Sequence, residues 1–383
     1  MSDSGRNIRI VIAGDTAPIR SNRDVFMSAS GSWLHSDLKK QIEAVDAFIV
    51  NLECPLLGDR HPAKKSGWVL SAPRECAQGL SKAGITAVNL ANNHSMDHGI
   101  PGLISTMSVL QSEGIDHFGA GENFTGAAQP HVVFLNGKSV ALMGLTTADS
   151  KTADIGRAGT MPMELPRCLP VILDACRRYD HVIVQLHAGL ERYPYPSPGL
   201  QTFCRCLVDL GVCCVLCQHS HCIGSTESWK NGVIVYGQGN FLFDWGHTSN
   251  DPWNYGLLLC IELQKDLPPI VTHTVTRQTF PGVEPASSAD SDRILHEFEQ
   301  RSLRIRDIQN VEIMWQEQIE SIAPDYLYPL TSRWKILRKI FRRLGISRWA
   351  LGENRARWLG AVIENRDLRE VMRTVLEMDG DSE

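Results

Sequence analysis

The amino-acid sequence predicts a layered α/β fold with a helical C-terminal extension. Short β-branched runs alternate with longer stretches of helical period up to about residue 265. The apolar runs, one after another, end directly in carboxylate, amide or imidazole side chains. A rise in Lys and Arg after Thr331 then sets off a separate C-terminal module.

Taken in order, Ile8 to Ala13 is the first strand candidate and ends in Gly14-Asp15. Ala47 to Leu52 ends in Asn51-Leu52-Glu53, and Ala87 to Leu90 leads into Asn92-Asn93-His94. Ser139 to Leu145 follows, then His181 to Leu186, which delivers His187. Cys213 to Cys217 precedes His219-Ser220-His221, and Val233 to Tyr236 runs into Gly237-Gln238-Gly239-Asn240. Helical stretches lie between them at Leu38 to Val45, Pro101 to Ser112 and Gln201 to Leu210; in the second, Leu103, Met107 and Leu110 are spaced by four and three. Pro281 to Asp292 reads as a linker before a helix at about Arg293 to Arg301. Active sites of α/β sheets and barrels gather at the carboxyl ends of the strands, so these strand-end groups are expected to converge.

Length and composition bound the class. The 383 residues suffice for one large domain with an appendage, expected at 6–304 and 305–383. With 43% hydrophobic and 21% charged residues the chain is of globular composition, and a net charge of -5 gives no overall attraction to nucleic acid. The start, MSDSGRN followed by IRIVIAGD, lacks the basic and long apolar regions of a signal peptide. No apolar run approaches the roughly 20 residues that cross a bilayer. A cytoplasmic protein is expected. The 11 cysteines fit this as reduced, small hydrophobes, with disulfides as the alternative. Cys214-x-x-Cys217 has no second such pair with which to complete a four-thiolate zinc site.

Metal chemistry best explains the strand ends. His219 and His221 sit on neighbouring turn positions, a spacing that lets two imidazoles reach adjacent metals; a surface loop is the alternative. Asp15 has no glycine-rich phosphate loop after it, which leaves a metal-ligand carboxylate or a helix N-cap. A carboxylate at Glu53, buried at a strand end, is costly unless a cation pairs with it. Asn93 offers an amide oxygen, His94 an imidazole for proton transfer and Asp97 a group to orient that imidazole; a turn and helix start would use the same residues structurally. His187 completes the imidazole set, or is a core histidine. Lys65, Glu191 and Asn240 are the substrate-contacting candidates.

The ordered set GD, NLE-x-P, NL-ANNH-x-x-D-x-G, G-A-G-E-N, LH-x-G-x-E, H-x-H and Y-G-x-GNF-x-F-D, between about Ile8 and Arg304, resembles the CapA family of bacterial capsule-synthesis proteins. That family is associated with poly-γ-glutamate capsules and built on the calcineurin-like metallophosphatase fold. The resemblance implies a four-layer αββα sandwich holding one or two divalent ions of Mn, Fe, Zn or Mg. It implies Asp15 and His221 on a first metal, Asn93, His187 and His219 on a second, Glu53 bridging, and His94 as the acid. Ala17 stands where phosphoesterases place a histidine, and Glu53 where they commonly place aspartate. Gln218 and Ser220 flank the histidine pair where the family often shows glycine and proline.

The resemblance thus implies a metal-dependent, phosphoesterase-like hydrolase acting in capsule or poly-γ-glutamate-type polymer biosynthesis. A non-catalytic polymer-binding or scaffold subunit is the alternative. Expected partners are an anionic polymer or phosphoester substrate and capsule-synthesis proteins, with no nucleic acid. From Thr331 to Gly360 nine Lys or Arg face one acidic residue, Glu353, with Trp334, Trp349 and Trp358 interspersed. The spacing of Trp334, Leu337, Phe341 and Leu344 gives an amphipathic basic helix suited to a peripheral contact with the inner membrane, or to packing on the main domain.

Overall fold

The computed structural model describes residues 7–28, 31–63, 68–135, 137–147, 151–246, 251–264 and 267–331. The chain divides into two compact units, Met1–Val311 and Glu312–Glu383. Lys65 and the basic stretch from residue 332 to 360 lie outside the described residues.

Two sheets make the centre of the first unit. The first joins strands β1 (Ile8–Ala17), β2 (Ala47–Leu52), β3 (Ala87–Asn89) and β4 (Asp116–Phe118), all parallel to their neighbours. The second joins β5 (His131–Leu135), β6 (Lys138–Thr146), β7 (His181–His187), β8 (Cys214–Gln218), β9 (Thr226–Trp229) and β10 (Gly232–Val235). Its order is β9-β10-β8-β7-β6-β5, parallel from β6 through β10. The chain then returns to the first sheet: β11 (Asn240–Phe243) runs parallel to β1, and β12 (Tyr255–Leu263), β13 (Ile270–Gln278) and β14 (Val283–Pro285) extend it antiparallel.

Alternation along β1 shows why the layers form. Ile8, Ile10 and Ile12 point into a core shared with Leu142, Ile183 and Leu216 of the second sheet. Val11 and Ala13, on the opposite face, join a different core with Leu38, Leu80 and Leu110. A strand buried on both faces must read as a continuous apolar run, and IRIVIA does so apart from Arg9. The outer core of the first sheet comes from α1 (Ser36–Glu43), α2 (Cys76–Lys82) and α3 (Gly99–Ser112). Helices α4 (Leu165–Arg178) and α5 (Pro198–Asp209) pack on β7, β8 and β10, which completes the four layers αββα.

The segment 281–292, expected as a linker, contains β14 and the start of α6 (Ser288–Arg304). Val283 pairs with Gln278, and Ser287 Oγ accepts from Asp290 N at 3.1 Å as an N-cap, so the Pro, Ser and Asp of this segment serve an edge strand and a helix start. Ile294 and Phe298 of α6 enter the core between the sheets. The last helix among the described residues, α7, runs Ile308–Thr331. No described helix is long and apolar enough to cross a membrane. All 11 cysteines are free thiols, most of them buried.

Candidate metal centre

The carboxyl ends of β1, β2, β7 and β8 meet at one edge of the sandwich. Asp15 lies within β1, Glu53 follows β2, His187 closes β7, and His219 and His221 follow β8. One position shows how closely the strands approach. A Cβ at Gly14 would stand 2.0 Å from the Gly239 carbonyl oxygen, and Asp15 N donates to that same oxygen at 3.3 Å. Only glycine fits before Asp15, which accounts physically for the Gly-Asp pair. His219 and His221 adopt φ of 83° and 53°, left-handed values that are strained for histidine and turn both imidazoles toward the carboxylates.

Asp15 Oδ1 accepts from Asn51 Nδ2 at 2.7 Å, and Oδ2 accepts from His219 N at 3.1 Å and lies 3.2 Å from His221 Nδ1. His187 Nδ1 lies 3.2 Å from Asn51 Nδ2, and its Nε2 lies 3.0 Å from Asn93 Oδ1 and 3.4 Å from Glu53 Oε1. Two triads have donor atoms within 4.8 Å of one another: Asp15, Glu53 and His187, and Glu53, His219 and His221. Glu53 is common to both, as a bridging ligand must be. The resemblance pairs His187 with His219 and His221 with Asp15; the His187 and His219 ring centroids are 4.7 Å apart, and His221 Nδ1 is the atom 3.2 Å from Asp15 Oδ2.

Burial would raise the Asp15 carboxyl, but the hydrogen bond and charge of His221, with His187 and Asn51, hold it down to about 2. Glu53 has the opposite balance: burial and the Asp15 charge push it up to about 8. Burial lowers His187 to about 3 and drives His219 well below the usual imidazole range, so both are neutral and suited to ligation. His221 rises to about 9; burial opposes the charged ring, and Glu53 and Asp15 outweigh it.

The donor set fits a divalent cation. Both Glu53 carboxylate oxygens and His219 Nδ1 are buried without a hydrogen-bond partner. Burial and the Asp15 charge are what push the Glu53 carboxyl up to about 8, and a divalent cation against its two oxygens would offset both and favour the ionised ligand form. The surrounding imidazoles and carboxylates are ligands of the kind that zinc, iron and manganese take.

The other candidates fall around this cluster. His94 Nδ1 lies 2.6 Å from Asp97 Oδ2, which also accepts from Leu70 N, and the His94 charge acts on Glu53, His187 and His219. Glu191 is exposed, and its charge acts on Glu53 and His187. Asn240, expected at the substrate, is instead buried behind His221. Its Oδ1 lies 2.9 Å from His221 Nδ1 and its Nδ2 donates to the Trp253 carbonyl, so both ends of the amide are used in positioning. Ala17 is fully buried, paired with Phe243 between β1 and β11, and contributes no ligand.

Three participants had no role of their own assigned from the sequence, although two of them, Asn51 and Asn92, stand in the strand-end groups. Asn51 bridges Asp15 and His187, although it reads as an ordinary residue inside NLE. Asn92 holds Asn51 Oδ1 and Leu52 O through Nδ2 and caps His94 N and Ser95 N through Oδ1, which makes it an organiser of the loop and not a plain turn residue. Trp253 stacks on His221 with ring centroids 4.2 Å apart, and nothing in its local sequence points to a histidine 32 positions earlier.

Several known proteins are similar to this chain. The chain is 30% identical over 250 residues to the capsule biosynthesis protein CapA of Bacillus anthracis, a match covering 63% of this chain and 61% of that protein. It is 30% identical over 182 residues to the PGA biosynthesis protein CapA of Bacillus subtilis (strain 168), covering 47% of this chain and 48% of that one. The chain therefore spans less than two thirds of the length of either relative. Among solved structures, the 5'-nucleotidase from Candida albicans SC5314 aligns at 9% identity with a TM-score of 0.42, covering 83% of this chain and 59% of that one. Residues 9–245, more than half of the chain and holding every residue of the metal cluster, match the family model of the bacterial capsule synthesis protein PGA_cap. The chain belongs to this family of bacterial capsule synthesis proteins.

Proposed function

We propose that this protein is a metal-dependent hydrolase, phosphoesterase-like in its chemistry, acting in the biosynthesis of a capsule or poly-γ-glutamate-type polymer. One observation carries the reading: the Glu53 carboxylate is fully buried, makes no hydrogen bond and is common to two ligand triads. The names of the relatives, capsule and PGA biosynthesis proteins, supply the polymer.

Asp15, Glu53, His187, His219 and His221 are the residues that would hold the cation, with Asn93 beside His187. When bound, such an ion supplies Lewis acidity toward a phosphoryl or carbonyl oxygen and acidifies water. Manganese is the first choice. Asn51 and Asn240 hold His187 and His221 in orientation, since each amide reaches the Nδ1 of its histidine. His94 has Nδ1 committed to Asp97, which leaves Nε2 to exchange a proton with the leaving oxygen of a substrate.

The test is turnover of a panel of phosphoesters by metal-loaded wild type and His94→Ala. The expected result is turnover by the wild type and a loss of about 10²- to 10⁴-fold in kcat in the variant, with metal content unchanged. A metal-loaded wild type that turns over nothing contradicts hydrolysis. It would favour the second reading, a non-catalytic polymer-binding subunit, which draws support from buried Ala17 where phosphoesterases supply a histidine.

A further inference from the structure

Beside the histidine turn lies a cavity of about 190 Å3, bounded by Cys222 and Ile223 on one side and by α6 on the other. Three guanidiniums line it, those of Arg192, Arg293 and Arg301, against a single lining carboxylate, Glu297. That carboxylate is shared: Arg293 Nη1 lies 3.2 Å from its Oε1 and Arg301 Nη1 3.4 Å from its Oε2. Outside the lining, Asp290 lies 3.3 Å from Arg293 Nη2 and Asp251 lies 3.4 Å from Arg192 Nη1. Arg301 Nε is fixed on the Gly224 carbonyl at 2.7 Å. The rest of the lining is mostly apolar and includes Ile223 and Ile294. Guanidinium forks on an apolar wall suit a carboxylate carried on a short aliphatic stem, because the forks match its two oxygens and the wall takes the methylenes.

The cavity adjoins the metal centre through two connections. Arg192 N donates to Ser220 O at 2.8 Å, between the two histidines of the turn. Its guanidinium sits over the Trp253 ring at 5.5 Å, and that ring stacks on His221. Arg192 itself holds a φ of 60°, so three strained non-glycine residues, Arg192, His219 and His221, meet where cavity and ligands join.

We propose that this cavity is a binding subsite for a glutamyl-sized carboxylate of the substrate polymer, held by Arg192, Arg293 and Arg301. The proposal rests on the polymer reading given above and adds the residues that select it. A bare phosphate would satisfy the guanidiniums and leave the apolar wall unused.

Calorimetric titration of the whole chain with a γ-linked glutamate tetramer, and separately with tripolyphosphate, tests this. Arg293→Ala and the Arg192→Ala, Arg293→Ala double variant remove side chains that are about half exposed, so folding should survive; circular dichroism and metal content verify it. The expected result is tetramer binding about tenfold weaker in the single variant and about a hundredfold weaker in the double variant. Equal tetramer affinity in wild type and double variant overturns the subsite and leaves the polymer reading standing. Binding of tripolyphosphate through these arginines without binding of the tetramer overturns the assigned chemistry. A wild type that binds no tetramer overturns both the subsite and the polymer, while phosphoester turnover still reports separately on the metal centre.

Discussion

At the scale of single residues, the site is built from groups that would each be a fault elsewhere in a fold. Glu53 is a buried carboxylate without a hydrogen bond, and two histidines occupy left-handed backbone. Gly14 supplies the clearest local test, since its missing side chain is what lets β1 approach Gly239. Gly14→Ala places a methyl 2.0 Å from a backbone oxygen that cannot swing away. We expect a loss of about 1–3 kcal/mol or more, together with weaker metal binding as Asp15 is displaced. Denaturant unfolding with metal titration checks this, and unchanged values for both would show that the strands separate at no cost. The acid and imidazole groups themselves were legible in the sequence because the apolar runs end directly at them. The roles of Asn51 and Asn92 were not, because an amide at a strand end or in a turn is ordinary until its partners are known.

At the scale of elements, strands buried on both faces were the easiest to read. Ala47–Leu52 has the bounds that its sequence suggests, and Ile8–Ala17 extends four residues beyond the apolar run because Asp15, Thr16 and Ala17 continue pairing with β2 and β11. The hairpin of β12 and β13 was harder. Ile270–Gln278 is half exposed and rich in threonine, so it lacks the apolar signature, although it pairs with β12 from Ile270 to Arg277. Asp244, after β11, ties this region to the loop after β1: its Oδ2 accepts from Ser21 N at 3.1 Å and Ser21 Oγ at 2.7 Å, and its Oδ1 from Gly246 N at 2.8 Å. Burial alone would raise its pKa, and these hydrogen bonds more than reverse that, so the folded value lies below the unfolded one. Its contribution is therefore complete above the unfolded carboxylate range, near pH 4, and is lost as pH falls through the folded value. Asp244→Asn should be destabilising near pH 6, with the gap from wild type closing toward pH 3; urea unfolding at the two pH values measures it, and a gap independent of pH would contradict the assignment.

At the scale of the whole molecule, two sheets must face each other before the site exists, because Asp15 and Glu53 come from one and His187, His219 and His221 from the other. Periodicity in the sequence gives the strands but not which faces meet, so the distances between the carboxylates and the histidines became visible only in three dimensions. The same holds for the arginine-lined cavity, whose members are spread over more than a hundred positions. The central claim is that this convergence exists to hold a divalent metal, and Glu53 is the residue common to both halves of it. Elemental analysis of wild type and Glu53→Gln after equilibration with manganese, iron, zinc or magnesium is the direct measurement. The account predicts about one or two metal equivalents in the wild type. It predicts few or none in Glu53→Gln, whose metal-stripped form is at least as stable as stripped wild type because a neutral amide replaces a carboxyl that burial already disfavours in its charged form. A wild type that takes up none of these ions, or a variant that retains the full complement, would contradict it.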